Sequence, residues 1–411
     1  MRKENQDTVH IALFPDDDDE DGEALVCAVL DGHGTSGRIC ALKTREWFAQ
    51  ELAQTKSKVM GSCLSGDKDA LEVAASGLFN EAQAHIMDIS EEQSKRVFGR
   101  FSGTTVTVVI VGKGKLCVLN AGDSEAVLGR TPSAVAHADS QKEPETPHIE
   151  HVVLSVKHQL DIPAERERIV KMGGRVAPKR GHDDGPLRVW LPDVETPGLM
   201  VSRSIGDGVC HDLGVSADPS IYLEPINPHD KFVIMASDGL WEFVDYEEAV
   251  NVVEDYVDPD DASHALVSIA LMRQSKKNAD NVSVIVILLE TLNERRARLE
   301  SQPGFVERHE KRFAKVQELE AQIRAQKQEA IDALKNNFGQ SSPFVTSPPN
   351  GSILFGDPAE GGFNGGGLGA GGASSAIPTL DTGGLTGVSM PAGQGRQGQA
   401  SARKSSMCIL S

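Results

Sequence analysis

Short runs of β-branched and other apolar residues recur over the first 292 positions and predict buried strands. The clearest runs are Ala24–Leu30, Thr105–Val111, Leu116–Leu119, Phe232–Ala236 and Val282–Leu289. Thr105–Val111 and Leu116–Leu119 flank a glycine-containing turn and therefore predict a β-hairpin. We expect Ala126–Leu128 to extend this hairpin into a meander.

Stretches with apolar residues three and four positions apart lie between the strands and predict helices at Gly37–Leu52 and Ala70–Ile89. Pro163 suits a first helical turn, and Gly173-Gly174 suits a helix end, so a further helix is predicted from Pro163 to Met172. Because strands come in runs and do not alternate strictly with helices, the pattern favours an antiparallel α+β architecture over a doubly wound sheet.

Composition divides the chain into three predicted segments. These are a globular domain (1–292), a charged amphipathic helical extension (293–338) and a disordered Gly/Ser/Pro-rich tail (339–411). Pro303-Gly304 interrupts the extension, which is therefore one helix or two, and which either packs back on the core or pairs with another chain.

The overall charge and the cysteine pattern exclude several classes of protein. The 411 residues carry a formal charge of −19, which argues against nucleic-acid binding because phosphates are bound mainly by Lys and Arg. A run of about 18 apolar residues and a secretory signal are both lacking in the sequence, so neither a membrane span nor secretion is expected. Six scattered cysteines without a Cys-x-x-Cys pair indicate a reducing compartment such as the cytoplasm.

Acidic residues stand where predicted strands begin or end, each beside a small residue that lets backbone approach a ligand closely. They are Asp7, Asp31, Asp123, Asp238 and Asp280. One such residue alone is most simply a turn residue. Several converging carboxylates would repel one another unless cations neutralised them, and Mg²⁺ or Mn²⁺ suit an all-oxygen site.

The motifs around these residues, in this order, resemble the metal-dependent protein serine/threonine phosphatases of type 2C (the PPM family), most like the plant and protist members. They are RKENQD (Arg2–Asp7), DGHG (Asp31–Gly34), SGTT (Ser102–Thr105), GDS (Gly122–Ser124), GLMVSRSIGD (Gly198–Asp207), ASDGLW (Ala236–Trp241) and DN (Asp280-Asn281). The resemblance implies a central antiparallel β-sandwich flanked by helices on both sides (α-β-β-α), with two metal ions between the sheet edges.

The resemblance also implies a role for each matching residue. The ligands of the two Mg²⁺ or Mn²⁺ ions would be Asp31, the Gly32 carbonyl, Asp238, Asp280 and, through water, Asp7. His33 would be the general acid, and Arg2 would bind the phosphate. Asp123 matches a ligand of a third ion, but Glu242 stands where an Asp is usual, so a third ion is left open. Asp207 is expected to hold a turn.

Other positions depart from the family pattern. Glu125 replaces the usual Arg after GDS, and Lys157 replaces the usual Asp before His158. The family's usual edge strand before the first motif is also missing, so either that strand is absent or the true start lies upstream. These departures suggest altered substrate handling, and they also motivate the alternative of a degenerate phosphatase-like interaction module tethered to membranes. Hydrolysis of small phosphorylated molecules is a third possibility.

The last four residues, Cys408-Ile409-Leu410-Ser411, form a CaaX box whose terminal Ser favours farnesylation of Cys408 by a prenyltransferase. Only Arg403 and Lys404 add nearby positive charge, so one lipid chain would give reversible membrane contact. The sequence therefore predicts a monomeric, cytoplasmic, peripherally membrane-associated enzyme that hydrolyses phosphoserine and phosphothreonine in phosphoprotein substrates.

Overall fold

The structure, a computed structural model, describes residues 4–16, 19–54, 57–92, 98–132, 149–275, 279–339 and 405–410. Arg2 and most of the tail lie outside these residues. The strands in chain order are β1 (Thr8–Asp16), β2 (Asp19–Leu30), β3 (Gly32–His33), β4 (Gly103–Thr104), β5 (Val106–Gly112), β6 (Lys115–Ala121), β7 (Glu125–Arg130), β8 (Glu150–Val153), β9 (Arg175–Ala177), β10 (Arg188–Trp190), β11 (Pro197–Leu199), β12 (Ile205–Gly206), β13 (Ser220–Pro225), β14 (Asp230–Ala236), β15 (Val282–Leu288) and β16 (Ser405–Leu410).

The helices cover the predicted helical stretches and add others. They are α1 (Gly37–Leu52), α2 (Lys58–Ser65), α3 (Lys68–Glu92), α4 (Pro163–Lys171), α5 (Gly208–His211), α6 (Asp238–Trp241), α7 (Tyr246–Glu254), α8 (Pro259–Arg273), α9 (Leu292–Glu300) and α10 (Phe305–Gly339), with a 3-10 turn at Phe98–Arg100. No helix in the described ranges is both long and apolar enough to cross a membrane.

Two five-stranded antiparallel sheets form the centre, in the orders β1-β2-β5-β6-β13 and β16-β15-β14-β7-β8. Their inner faces pack together through residues such as Val29, Val109 and Ile285. Helices α1–α3 cover the outer face of the first sheet, and α7 and α8 cover that of the second. This α-β-β-α sandwich confirms the predicted fold class. It also explains the unbroken apolar runs, because successive side chains point to opposite faces and both faces are buried.

The hairpin prediction is right, but the meander prediction is wrong. β5 and β6 pair antiparallel around Lys113 and Gly114, both with positive φ (44° and 67°), as a tight hairpin turn requires. β7 does not continue that sheet and instead pairs with β14 and β8 in the second sheet. The chain turns a corner at Gly122, where φ is 118° and a Cβ would lie 2.5 Å from the Thr105 side chain. A local apolar pattern cannot show this change of sheet.

Helix α9 and the first part of α10 pack on the outer layer of the second sheet. Arg295 is fully buried, donating from Nη2 to the carbonyls of Val253 (2.7 Å) and Tyr256 (2.8 Å) and from Nη1 to Glu290 Oε1 (3.2 Å). Val316 of α10 packs into the apolar cluster that the second sheet forms with α7 and α8. This packing agrees with the alternative in which the extension packs back on the core. The domain boundary at 292/293 stays a prediction. From Ala321 onward, the described part of α10 belongs to a second compact unit.

The end of the tail differs from the expectation of disorder. Residues 340–404 lie outside the described residues, but Ser405–Leu410 forms β16 and pairs with β15. The sequence of this segment (SSMCIL) contains no glycine and three apolar residues in its last four, unlike the glycine-rich stretch before it. Strand pairing can therefore offset the entropy of ordering this segment.

Candidate metal centre

The predicted acidic residues gather where strand ends of the two large sheets meet. Asp7 directly precedes β1 of the first sheet, yet its Oδ2 accepts hydrogen bonds from Ser237 Oγ (2.9 Å) and Ser283 Oγ (2.8 Å) of the second sheet's strand ends. The Gln6 backbone N–H also donates to Asn281 Oδ1 (3.0 Å). The first and last predicted motifs are thus joined across the sandwich.

The electrostatics show that these carboxyl groups form one cluster. The pKa of Asp31 is raised well above its usual range, first by burial and then by the negative charges of Asp7, Asp238, Asp123 and Asp280. Burial likewise raises the pKa of Asp7 to about 6, although hydrogen bonds from Ser283 and Ser237 act in the opposite direction. All five acids predicted from strand ends therefore converge on one place.

Glycines beside two of these acids allow the close approach on which the cluster depends. A Cβ on Gly32 would lie 2.5 Å from the Gly37 carbonyl oxygen and 2.6 Å from that of Gln6. A Cβ on Gly239 would lie 1.9 Å from the Asn281 carbonyl oxygen. All three distances are shorter than real Cβ contacts, so only glycine fits at these two positions. Close packing thus explains why a glycine follows Asp31 and Asp238 in the sequence.

The donor set fits a hard divalent cation. Among the described residues, no three His, Cys, Asp or Glu side chains form a ready-made metal cage. Within the same residues, however, Asp7 Oδ1 is buried and accepts no hydrogen bond. A buried carboxylate oxygen without a donor, facing other carboxylates, is costly in free energy unless a cation or proton neutralises it. Oxygen ligands of this kind suit Mg²⁺ or Mn²⁺.

His33 contacts Asp207, a residue expected only to hold a turn. His33 Nε2 lies 2.6 Å from Asp207 Oδ2, which also accepts a hydrogen bond from Ser204 Oγ (2.7 Å). Burial lowers the pKa of His33, but the charge and hydrogen bond of Asp207 outweigh it, so the net pKa is raised. The pair therefore favours a protonated imidazole beside the acidic cluster.

Asp207 adopts an unusual backbone conformation that places its carboxylate beside His33. Its φ is 48°, and its carbonyl accepts the first hydrogen bonds of α5, so it also holds the expected turn. A Cβ on Gly103 would lie 2.2 Å from Asp207 Oδ2. The sequence signal available was the Gly206-Asp207 pair at the end of β12, the same small-residue-plus-acid pattern as Gly122-Asp123.

The two charged departures from the family pattern interact with each other. Lys157 Nζ lies 3.7 Å from the buried Glu125 Oε1, and Tyr246 donates a hydrogen bond to Glu125 Oε2 (2.7 Å). Glu125 stands where the family pattern has Arg, and Lys157 stands where it has Asp. The two positions therefore still carry opposite charges, but in the reverse order. Lys157 also affects the pKa of Asp123. Burial and the charge of Asp238 raise that pKa, the charges of Lys157 and His33 partly oppose the shift, and the net pKa is about 7.

The remaining predicted residues are placed as follows. Asp280 directly precedes Asn281 and β15, and Asp238 begins α6. Glu242 follows α6 with an exposed side chain, and its N–H donates to the Asp238 carbonyl (2.9 Å). Arg2 lies outside the described residues, and Cys408 lies in β16 opposite Val284. The third-ion site and the phosphate-binding role of Arg2 stay predictions.

Known proteins resemble this chain in both sequence and fold. The family model described as "Protein phosphatase 2C" matches residues 1–279. Probable protein phosphatase 2C 48 of Oryza sativa subsp. japonica is 32% identical over 263 residues, covering 63% of this chain and 72% of that protein. Probable protein phosphatase 2C 73 of Arabidopsis thaliana is 27% identical over 279 residues, covering 65% and 71%.

Two solved structures share the fold at low sequence identity. The serine-threonine phosphatase 2C from Toxoplasma gondii superposes with a TM-score of 0.56 at 20% identity, covering 70% of this chain and 92% of that one. A sex determining protein of C. elegans gives a TM-score of 0.52 at 20% identity, covering 72% and 64%. At this identity the likeness establishes the sandwich fold.

Proposed function

The chain belongs to the protein phosphatase 2C family of metal-dependent protein serine/threonine phosphatases, and from this we propose a mechanism of phosphoserine and phosphothreonine hydrolysis at the acidic cluster. Its metal ligands would be Asp7 through water, Asp31, the Gly32 carbonyl, Asp238 and Asp280. The convergence of carboxylates from both sheets on Asp31 is the observation that carries this assignment. The acidic cluster is proposed to bind two ions, either Mg²⁺ or Mn²⁺.

Divalent cations bound there would supply an activated water at neutral pH and positive charge for the phosphoryl group. The chain's own residues contribute the proton. The leaving seryl or threonyl oxygen is a poor leaving group, so it needs an acid nearby. His33 suits this role because Asp207 holds its imidazole in place and favours the protonated form. Arg2 is proposed to bind the phosphate.

Removal of metal is the direct test of this function. Phosphate release from a phosphothreonine peptide by the purified chain is expected to stop in EDTA, because the carboxylates alone supply no nucleophile. Activity should return when Mn²⁺ or Mg²⁺ is added in excess over the chelator. Release that continues unchanged in EDTA would rule out the metal-dependent mechanism. A chain that never releases phosphate in Mn²⁺ would instead support the interaction-module alternative. A small phosphorylated metabolite assayed in parallel distinguishes the third possibility.

We further propose that Cys408 is farnesylated and that the chain, otherwise a cytoplasmic monomer, contacts membranes through this lipid. The support is the CaaX sequence itself. After expression in a eukaryotic cell, part of the native protein is expected in the membrane fraction, because one lipid chain binds a bilayer weakly and reversibly. A Cys408→Ser variant, which keeps size and polarity similar, should move entirely to the soluble fraction. Equal partition of the two proteins would contradict the lipidation proposal.

A further inference from the structure

The three-stranded sheet β12-β4-β3 links His33 to the turn at Asp207. Gly103 in the central strand β4 lies opposite His33 of β3 on one side and opposite Gly206 of β12 on the other. Because Gly103 has no side chain, the Asp207 carboxylate crosses β4: a Cβ on Gly103 would lie 2.2 Å from Asp207 Oδ2. The carboxylate thus reaches His33 Nε2 at 2.6 Å, so the position of β12 decides where this partner of His33 lies.

The edge of β12 that faces away from β4 is held by the side chain of Gln83 from α3. In the ladder with β4, the Asp207 N–H donates to the Ser102 carbonyl (2.9 Å). Hydrogen-bonded pairs alternate along an antiparallel ladder, so Gly206 directs its own N–H and C=O away from β4. The Gly206 N–H donates to Gln83 Oε1 (2.6 Å), and Gln83 Nε2 donates to the Gly206 carbonyl (2.9 Å). One side-chain amide therefore makes both hydrogen bonds that a residue of a further strand would make.

The turn that Gln83 holds has an unusual backbone conformation. Two consecutive residues lie in the left-handed region, with φ of 92° at Gly206 and 48° at Asp207. For a residue with a side chain this conformation is unfavourable, and it persists only where the surroundings fix it. Met87 follows Gln83 by one helical turn on the same face of α3 and packs against the other end of the turn, since a Cβ on Gly208 would lie 2.6 Å from Met87 Cε. α3 thus contacts both residues that flank Asp207.

We propose that Gln83 is a positioning residue for proton donation: its amide holds the turn in the conformation that keeps the Asp207 carboxylate on His33. The proposal rests on the general-acid role proposed for His33. Ala82 and Ile86, on either side of Gln83 in α3, are fully buried against the first sheet, so the amide is presented from a rigid support. Gln83 lies outside every motif that resembles the family, and only the fold brings it to the active site.

The test compares two substrates that differ in their need for a proton donor. Gln83→Met removes both hydrogen bonds to Gly206 but keeps a side chain of similar length and high helix propensity. In Mn²⁺, we expect the turnover of a phosphothreonine peptide to fall about tenfold, less than the about 10²- to 10⁴-fold that removal of a general acid costs. Turnover of p-nitrophenyl phosphate should change by less than about twofold, because p-nitrophenolate leaves without a proton.

The ratio of the two rates separates positioning from a loss of stability. A partly unfolded sample slows both substrates equally, so a merely structural role of Gln83 leaves the ratio unchanged. Glu81→Met, at an exposed position on the same helix, is the matched control and should leave both rates unchanged. A Gln83→Met chain whose ratio equals that of the native chain would overturn the proposal.

A double variant tests whether Gln83 acts through His33. In a His33→Gln background there is no acid left to position, so adding Gln83→Met should cause no further change in the ratio of the two rates. A further tenfold fall, about the same as in the native background, would show that Gln83 acts elsewhere and would overturn the proposal.

The same measurements distinguish failure of this proposal from failure of the proposed function. If His33→Gln alone slows both substrates equally, the general-acid role is wrong, and the positioning role of Gln83 is overturned with it. If His33→Gln slows only the peptide while Gln83→Met leaves the ratio unchanged, the general acid stands and the role of Gln83 alone is rejected.

Discussion

Replacing Asp31 with asparagine is expected to abolish most phosphatase activity while stabilising the metal-free protein. Loss of an outer-shell partner in a metal site already costs about 10- to 100-fold, so loss of a proposed direct ligand should cost more than about a hundredfold in Mn²⁺-dependent rate. The opposite effect on stability follows from the raised pKa of Asp31, which reports first the cost of burying its charge and then repulsion by four other carboxylates. Removing one negative charge relieves that repulsion when no cation is bound.

Thermal unfolding at pH 7.5 measures the effect on stability, and Mn²⁺-dependent phosphate release from a phosphothreonine peptide measures the effect on activity. In EDTA, Asp31→Asn should melt a few degrees above the native chain, at about 2–4 °C per kcal/mol of stabilisation. Mn²⁺ should raise the melting temperature of the native chain and have little effect on the variant. Asp238→Asn should behave in the same way, and Asp88→Asn, an exposed carboxylate on α3, should change neither activity nor melting. A variant that is less stable in EDTA, or that still responds fully to Mn²⁺, would count against the assigned ligand role.

Replacing His33 with glutamine is expected to lower the turnover of a phosphothreonine peptide by about 10²- to 10⁴-fold, the usual contribution of a general acid. The loss should be much smaller with p-nitrophenyl phosphate, because p-nitrophenolate leaves without needing a proton. This difference between substrates distinguishes a lost proton donor from a damaged metal site, which would slow both. Asp207→Asn should show the same selectivity to a lesser degree, since it keeps His33 but removes the charge that favours its protonated form.

Steady-state kinetics of both variants with both substrates provide the measurement. His151→Gln, at an exposed position on β8, is the matched control and should leave both rates unchanged. An equal loss with the two substrates would contradict the general-acid role of His33. An unchanged peptide rate in Asp207→Asn would remove Asp207 from the mechanism and leave it holding the turn alone.

The clustering of the proposed metal ligands could be predicted from the sequence because several of them carry a local signal. Asp31 and Asp238 are each followed by a glycine, and the crowding at Gly32 and Gly239 explains why that neighbour is required. Strand ends in a sandwich lie at its edges, so a series of such pairs indicates a shared site before any fold is known. The same reasoning extends to Gly122-Asp123.

Pairings over long sequence separations could not be predicted in this way. The contact of Asp207 with His33 joins residues 174 positions apart and depends on a left-handed backbone conformation that composition does not reveal. The ion pair of Lys157 with Glu125 could not be predicted for the same reason. In the sequence each residue is a separate departure from the family pattern, and only the fold shows that their opposite charges face each other. The change of sheet at β7 and the return of β16 likewise depend on tertiary packing.

The buried guanidinium of Arg295 determines where the folding unit ends. The match to the family stops at residue 279, but a chain cut at 292 would leave the Tyr256 carbonyl without its Arg295 donor and would remove one hydrogen bond from the Val253 carbonyl. Each buried acceptor left without a partner costs about 1–3 kcal/mol, which is a large fraction of the stability of a domain. We therefore expect helix α9 to unfold together with the sandwich, and a chain ending near residue 320 to be more stable than one ending at residue 292.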